Sequence, residues 1–178
     1  MTITMDGNKQ LHDACRLFPD GKGSFDLAYA AASDWRKRTK EETTKITISP
    51  YNVDKIYNAL HYLIAQEHYK TIFMNCVFEE GWTDKHGSIL YQELKRIADY
   101  LLDHNLQDDI YLTILDDKCG ACDIPMDGPW CGGSGSMICL DPRGDIYPCL
   151  RYCPNAIGFE KAQKIKIGDV ERGFIYND

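Results

Sequence analysis

Residues 71 to 78 read TIFMNCVF, a nearly unbroken run of apolar, β-branched and aromatic side chains. A run this short and this apolar suits a strand of a parallel sheet that is buried on both faces. It does not stand alone. TITM (2–5) and KITISP (45–50) are also extended in character, and each leads into a segment of helical periodicity. After TITM come Asp6, Gly7 and the loop FPDGKG, then SFDLAYAAASDWRKR. There Phe25, Ala28, Tyr29, Ala32 and Trp35 recur at helical spacing behind Ser24, a natural N-cap. After KITISP, Asn52 stands as N-cap before Val53, Ile56, Tyr57, Leu60, Leu63 and Ile64, which mark one apolar face. After the loop EEGWTDKHG, the spacing predicts a helix from residue 88 to 105, with Leu90, Leu94, Ile97, Leu101 and Leu102 on one side. IYLTIL (110–115) reads as one more strand. Three βα units in a row imply a parallel α/β sheet with right-handed crossovers, part of either a barrel or a doubly wound sheet. Ligands of such folds sit at the carboxyl ends of the strands, which selects Asp6 and Gly7, Ser49 to Asn52, and Glu79 to Trp82.

The chain has 178 residues, 44% hydrophobic and 26% charged, enough for one ordinary domain or a domain with an appendage. No stretch approaches the roughly 20 apolar residues of a membrane helix, and MTITMDGNKQ has no signal-peptide pattern, so a cytoplasmic, membrane-free location is expected. Net charge is −7, and the basic stretch WRKRTK reads as the last turn of a helix. Nucleic acid is therefore not an expected partner.

After residue 116 the composition turns to Cys, Gly and Pro, which predicts a boundary there: an α/β body over 1–116 and a cysteine-rich region over 117–178. Of eight cysteines, Cys15 and Cys76 stand alone, while Cys119, Cys122, Cys131, Cys139, Cys149 and Cys153 fall close together. For the isolated pair, small buried hydrophobes are the expectation. The clustered six point to metal or redox chemistry in a reducing compartment. SMICL and DIYPC flank Asp141-Pro142-Arg143-Gly144, a four-residue turn suited to a β-hairpin. Thiolates on glycine-rich backbone suit zinc or an iron–sulfur cluster, and Cys119-x2-Cys122 with Cys149-x3-Cys153 could close a zinc tetrathiolate. A thioredoxin-like role for Cys119 and Cys122 is disfavoured, because Asp-Ile-Pro-Met-Asp-Gly-Pro follows and cannot propagate a helix.

Cys131-Gly-Gly-Ser-Gly, with Gly144 and Cys149 at the right spacing and Asp-Ile-Tyr-Pro before Cys149, resembles the opening of the SPASM domain of radical SAM peptide-modifying enzymes. In the body, Thr4-Met5-Asp6-Gly7, Leu11-His12-Asp13, Arg16 and Gly23-Ser24-Phe25-Asp26 resemble the fourth-strand region of the same enzymes. Thr47 to Val53 and Asn75 to Trp82 resemble the strand ends that follow. The wording around Pro148-Cys149-Leu150-Arg151-Tyr152 is closest to peptide maturases.

The resemblance implies a portion of a (β/α)6 radical SAM barrel, about three βα units, followed by the start of a SPASM-like or twitch-like auxiliary-cluster region. It implies S-adenosylmethionine as cofactor, cleaved reductively to a radical that removes hydrogen from a substrate, a precursor peptide of ribosomal origin containing cysteine, and an auxiliary 4Fe–4S cluster. The Cys-x3-Cys-x2-Cys loop of the catalytic cluster, the glycine-glycine-glutamate segment and the later SPASM cysteines do not occur in this sequence. On that reading, a barrel half or an upstream subunit completes the enzyme, and the chain alone is inactive. Cys131 and Cys149 match cluster ligands, with Cys139, Cys119, Cys122 and Cys153 as further candidates. Thr4, Asp6 and Asn52 match positions near the cofactor ribose and the substrate. Glu79 and Trp82 are candidates for peptide contact, and His12, Asp13 and Arg16 for ordering the loop after the first strand. The alternative is a noncatalytic module holding zinc or an iron–sulfur cluster, or a peptide-binding partner protein.

Overall fold

Why strands at 43–48 and 71–76 should lie side by side is visible in their side chains. A computed structural model, which describes residues 2–77, 81–116 and 137–175, pairs β2 (Thr43–Ile48) in parallel with β3 (Thr71–Cys76) over their whole lengths, Thr43 opposite Thr71 and Ile48 opposite Cys76. β1 (Ile3–Thr4) joins β2 on one side and β4 (Tyr111–Leu112) joins β3 on the other, so the strand order is the chain order. The connections carry α1 (Lys9–Cys15), α2 (Phe25–Thr39), α3 (Ile56–His61, continued by a π-helical stretch to Gln66) and α4 (Asp84–Asp103).

Alternate strand residues Met5, Ile46, Ile48, Ile72, Met74 and Leu112 meet Phe25 and Ala32 of α2, Leu60 and Leu63 from the α3 segment, and Ile97 and Leu101 of α4 in one core. Burying each of these larger side chains contributes about 1.5–3 kcal/mol. A sheet wound in chain order with right-handed crossovers puts its helices on one face, and the shared core shows that these helices do lie together. The doubly wound alternative would need them on both faces.

Several local expectations change. β3 is buried on one face only: Ile72 and Met74 are in the core, whereas Phe73 and Asn75 are exposed. Only Tyr111 and Leu112 of the 110–115 run form strand, because the Thr113 hydroxyl accepts the Met74 N–H at 2.7 Å and takes the amide that a longer β4 would have used. α4 begins at Asp84, before residue 88, with Thr83 and His86 capping each other's backbone, and Leu102 is exposed. α1, an unexpected helix, is capped by Asn8, which accepts the Leu11 N–H at 3.0 Å.

Ser24 and Asn52 stand at cap positions but their side chains do not cap. Asp13 accepts the Phe25 N–H at the start of α2 at 2.8 Å. Buried Glu93 of α4 accepts the Tyr57 N–H at the start of α3 at 2.9 Å and pairs with Arg96 at 2.5 Å, whose guanidinium lies over the Tyr57 ring. Carboxylates from elsewhere in the chain therefore meet the positive ends of both helices.

The chain divides into two compact units, Met1–Gly120 and Ala121–Asp178. In the second, β5 (Cys139–Leu140), β6 (Asp145–Tyr147), β7 (Gly168–Asp169) and β8 (Gly173–Phe174) form an antiparallel meander, with α5 (Pro154–Ile157) and α6 (Phe159–Gln163) between β6 and β7. Between β5 and β6, the Gly144 N–H donates to the Asp141 carbonyl at 3.0 Å and Gly144 takes a φ of 86°. The Asp141 carboxylate accepts the Arg143 and Asp145 N–H groups and pairs with the Arg143 side chain. Among the described residues this unit's apolar cluster is Tyr147, Cys153 and Ala162, with Cys139 and Ile157 packed against them, and Ile146 is buried beside Tyr147 in the chain.

Candidate functional site

At the carboxyl end of the parallel sheet, the Asp6 carboxylate is almost fully buried. One oxygen accepts the Thr47 N–H at 2.8 Å, and the other accepts from the Arg16 guanidinium in a short ion pair. Arg16 also donates to the Thr47 hydroxyl at 3.1 Å, so β1, β2 and the end of α1 are tied at one point. Gly7 makes the turn with a φ of 110°, and a Cβ there would stand 3.0 Å from that of Ala59.

Behind this pair, His12 is buried. Its Nδ1 accepts the Asp6 backbone N–H at 3.2 Å, which assigns the proton to Nε2, 3.1 Å from the Ser24 hydroxyl; that hydroxyl donates to the Arg16 carbonyl. Desolvation lowers the pKa of His12, outweighing the attraction of Asp6. His12, Asp13 and Arg16 thus act together to shape the segment after β1.

Asn52 serves this end of the sheet too. Its Oδ1 accepts the Ser49 N–H at 2.7 Å and its Nδ2 donates to the Thr47 carbonyl at 3.0 Å, fixing the turn that leaves β2. Asp6, Arg16, Thr47, Ser49 and Asn52, with exposed Tyr51 and Cys15 at the rim, line a cleft of about 400 Å³. Cys15 is exposed and lies 4.0 Å from Asn52 Nδ2, so the expected small buried hydrophobe is a rim residue instead. Cys76 is half-buried, and burial raises its thiol pKa. Thr4 pairs with Lys45 on β2, before Asp6, and is not among the residues that line the cleft. Trp82 is half-buried, with its indole N–H donating to the Val77 carbonyl at 2.7 Å and its ring edge-on to His86. Glu79 lies outside the described residues.

Among the thiols of the second unit, the Cys149 sulfur accepts the Arg151 N–H at 3.4 Å. Cys153 is buried and its thiol donates to the Leu150 carbonyl at 2.9 Å. The Cys139 pKa is raised, first by desolvation and then by the neighbouring Cys153 thiol, with smaller contributions from Cys149 and Asp141. Cys119, Cys122 and Cys131 lie outside the described residues, and among the described residues no three Cys, His, Asp or Glu side chains are arranged to hold a metal ion. No described helix is long and apolar enough to cross a membrane.

No family model matches the sequence, and no curated protein matches it. Solved structures do. Those of anSMEcpe match over 94% of this chain: the histidine-tagged protein with bound AdoMet at 20% identity and a TM-score of 0.59, and the native protein with AdoMet and the Cp18Cys peptide at 19% and 0.60. A third, with AdoMet and the Kp18Cys peptide, matches at 19% and 0.59. In fold, the chain is similar to anSMEcpe. It spans 44–47% of the length of those anSMEcpe chains.

The sequence points to Asp6 and Asn52, and the structure brings both to the cleft. Sequence reasoning assigns Arg16 only a loop-ordering role and misses the rim position of Cys15. The spacing of Arg16, ten residues after Asp6 with a short helix between, is the signal available.

Proposed function

We propose that this chain is a segment of a radical SAM peptide-modifying enzyme, comprising part of its barrel and the start of an auxiliary-cluster region, and that it acts on a precursor peptide only together with the rest of the barrel. The observation that carries this reading is the likeness in fold to anSMEcpe, over 94% of the chain, in structures that hold AdoMet and peptides. The cleft at the sheet end suits a polar cofactor: the Arg16 guanidinium and the Thr47 and Ser49 hydroxyls line it, while Asp6 and Asn52 are spent on fixing its walls. Asp6 and Asn52 would hold the cofactor side of the site through the turns they fix, and Arg16 would keep the Asp6 carboxylate in place. Thr4 would stand behind them on β1. AdoMet, when bound, supplies the radical chemistry; the protein's part is to position it and keep water from the reacting atoms.

Cys131 and Cys149 are the proposed ligands of an auxiliary 4Fe–4S cluster, completed from among Cys139, Cys119 and Cys122, with the Arg151 N–H offsetting charge at the Cys149 sulfur. Trp82 and Glu79 are proposed to border the peptide path.

Anaerobic expression and reconstitution, with iron, labile sulfide and zinc measured beside the visible spectrum, test this reading. A brown protein with iron equal to sulfide, lost in Cys131→Ala and in Cys149→Ala, is the expected result. A colourless protein that carries zinc and takes up no iron would overturn it in favour of a noncatalytic zinc module.

A further inference from the structure

Taking a peptide as the substrate, the reading on which this step rests, we propose that Lys45 anchors an acidic segment of that peptide. Its ammonium pairs with a Glu or Asp carboxylate on the face of the parallel sheet turned away from the helices. β2 alternates strictly: Thr44, Ile46 and Ile48 are buried on the helix side, and Thr43, Lys45 and Thr47 point to the opposite face. The parallel register sets Thr4 and Phe73 on either side of Lys45, and Asn75 beside Thr47. Phe73 and Asn75 are exposed and Lys45 is half-buried. Parallel sheets packed on both sides carry apolar side chains on both. A face of Thr, Lys and Asn around one Phe is built instead to meet water or a polar ligand.

The fold gives this lysine no structural task. β2 is a central strand, between β1 and β3, so Lys45 does not guard an exposed edge against pairing. Lysine is also depleted within strands. Among the described residues no carboxylate pairs with Lys45, whereas Lys9, Lys22, Lys70 and Lys166 each have one. At the carboxyl end of the same face Asp6 and Arg16 neutralise each other, which leaves the Lys45 ammonium unbalanced.

The surroundings fit a carboxylate. Thr47 stands two residues beyond Lys45, about 6.6 Å along the strand, and lines the cleft, so the ammonium is within side-chain reach of a ligand seated there. The Thr47 hydroxyl accepts from Arg16 and has its own proton to donate, and the exposed Asn75 amide offers further N–H groups. A carboxylate among these donors satisfies the half-buried ammonium through charge-assisted hydrogen bonds, about twice as strong as neutral ones. Phe73 gives the adjoining peptide residue an apolar wall. The chain's net charge of −7 works against non-specific binding of an acidic peptide, so the attraction is local to this lysine.

The test uses the intact chain and two labelled synthetic peptides, each with one cysteine, identical except that Glu residues in one are Gln in the other. Fluorescence anisotropy is expected to show the Glu peptide binding at least about tenfold more tightly. Zero-length carbodiimide coupling is expected to join one of its Glu residues to Lys45, identified by mass spectrometry of the digest. Lys45→Met should abolish the preference and Lys45→Arg should keep it, while Lys37→Met, at an exposed cation on α2, should leave it unchanged. A melting curve checks that Lys45→Met is folded; should it not fold, the residue coupled in the unaltered chain decides. No binding, equal binding of the two peptides, a preference that survives in folded Lys45→Met, or coupling confined to other lysines would overturn the assignment. Iron uptake on reconstitution is read separately. Iron uptake without a preference for the Glu peptide overturns the anchor and leaves the cluster reading standing; the preference without iron does the reverse.

Discussion

The two units of this chain are held together by different means. The first has a continuous core running from Met5 through Ile72 to Leu112, with three helices on it. The second has four buried apolar side chains among its described residues, Ile146, Tyr147, Cys153 and Ala162, and relies on polar ties: the Asp141 turn, the Lys166 ammonium between Asp145 and Asp169, and Gln163 bridging Asp145 and Tyr147. A unit with so small a core gains most from sulfur chemistry, whether a bound metal or a cross-link. The contrast shows why the cysteines crowd into one third of the chain. They are concentrated where apolar burial is least able to fix a single structure.

The comparison can be broken by experiments on either side. The largest effect is expected from the body: Leu60→Ala, at a fully buried position, should cost about 2–5 kcal/mol in chemical denaturation. A cost below about 1 kcal/mol there would mean that the core is not the main support of this unit. Chelation of the proposed metal should strip hydrogen-exchange protection from the second unit's amides and leave that of β2 and β3 unchanged; equal loss in both would show that the units are coupled. Glu93→Ala should cost about 1–2 kcal/mol, because it uncovers the Tyr57 N–H at the start of α3. Circular dichroism and a melting curve would read it.

The smallest effect is one of pH. The folded pKa of His12 is lowered below its ordinary value of 6.5, so the unfolded chain takes up a proton there before the folded one does. The stabilisation from neutral His12 is complete above that ordinary value and declines as pH falls below it. In the second unit, Lys166, with help from Gln163, holds the Asp145 pKa below its ordinary 3.8, so that contribution is lost only in stronger acid, as pH falls through the depressed value. All five histidines lie in the first unit. Mild acid should therefore loosen the body before the tail, and His12→Gln should flatten the body's response over the mildly acidic range in which an ordinary histidine titrates. Thermal melts across this range, read by unit-specific exchange, would show the order.

The alternation of strand and helix was legible because hydrophobic periodicity is local. The helix caps were not. Ser24 and Asn52 have the right chemistry at the right positions, but their side chains bond to the backbone of Arg16 and Thr47, and the helix ends are met by Asp13 and Glu93, which only the folded chain brings near. The one-sided burial of β3 was hidden for a related reason: Phe73 extends the apolar run although it faces away from the helices. At the site, Asp6 and Asn52 were readable from strand ends, whereas the exposure of Cys15 depends on how α1 terminates. In the second unit, the packing of Cys139 against the small core follows from the register that sets it opposite Tyr147, and composition alone could not supply it.

Gly23 lies where the Asp13 carboxylate crosses to reach the start of α2, and a Cβ at that point would overlap the carboxylate itself. In a saturation library, position 23 should therefore behave as an all-or-none site, with alanine tolerated no better than a bulkier residue. Shortening the obstacle by Asp13→Ala should reopen the position to alanine. The two residues would then appear in selection data as a coupled pair, even though neither lines the cleft.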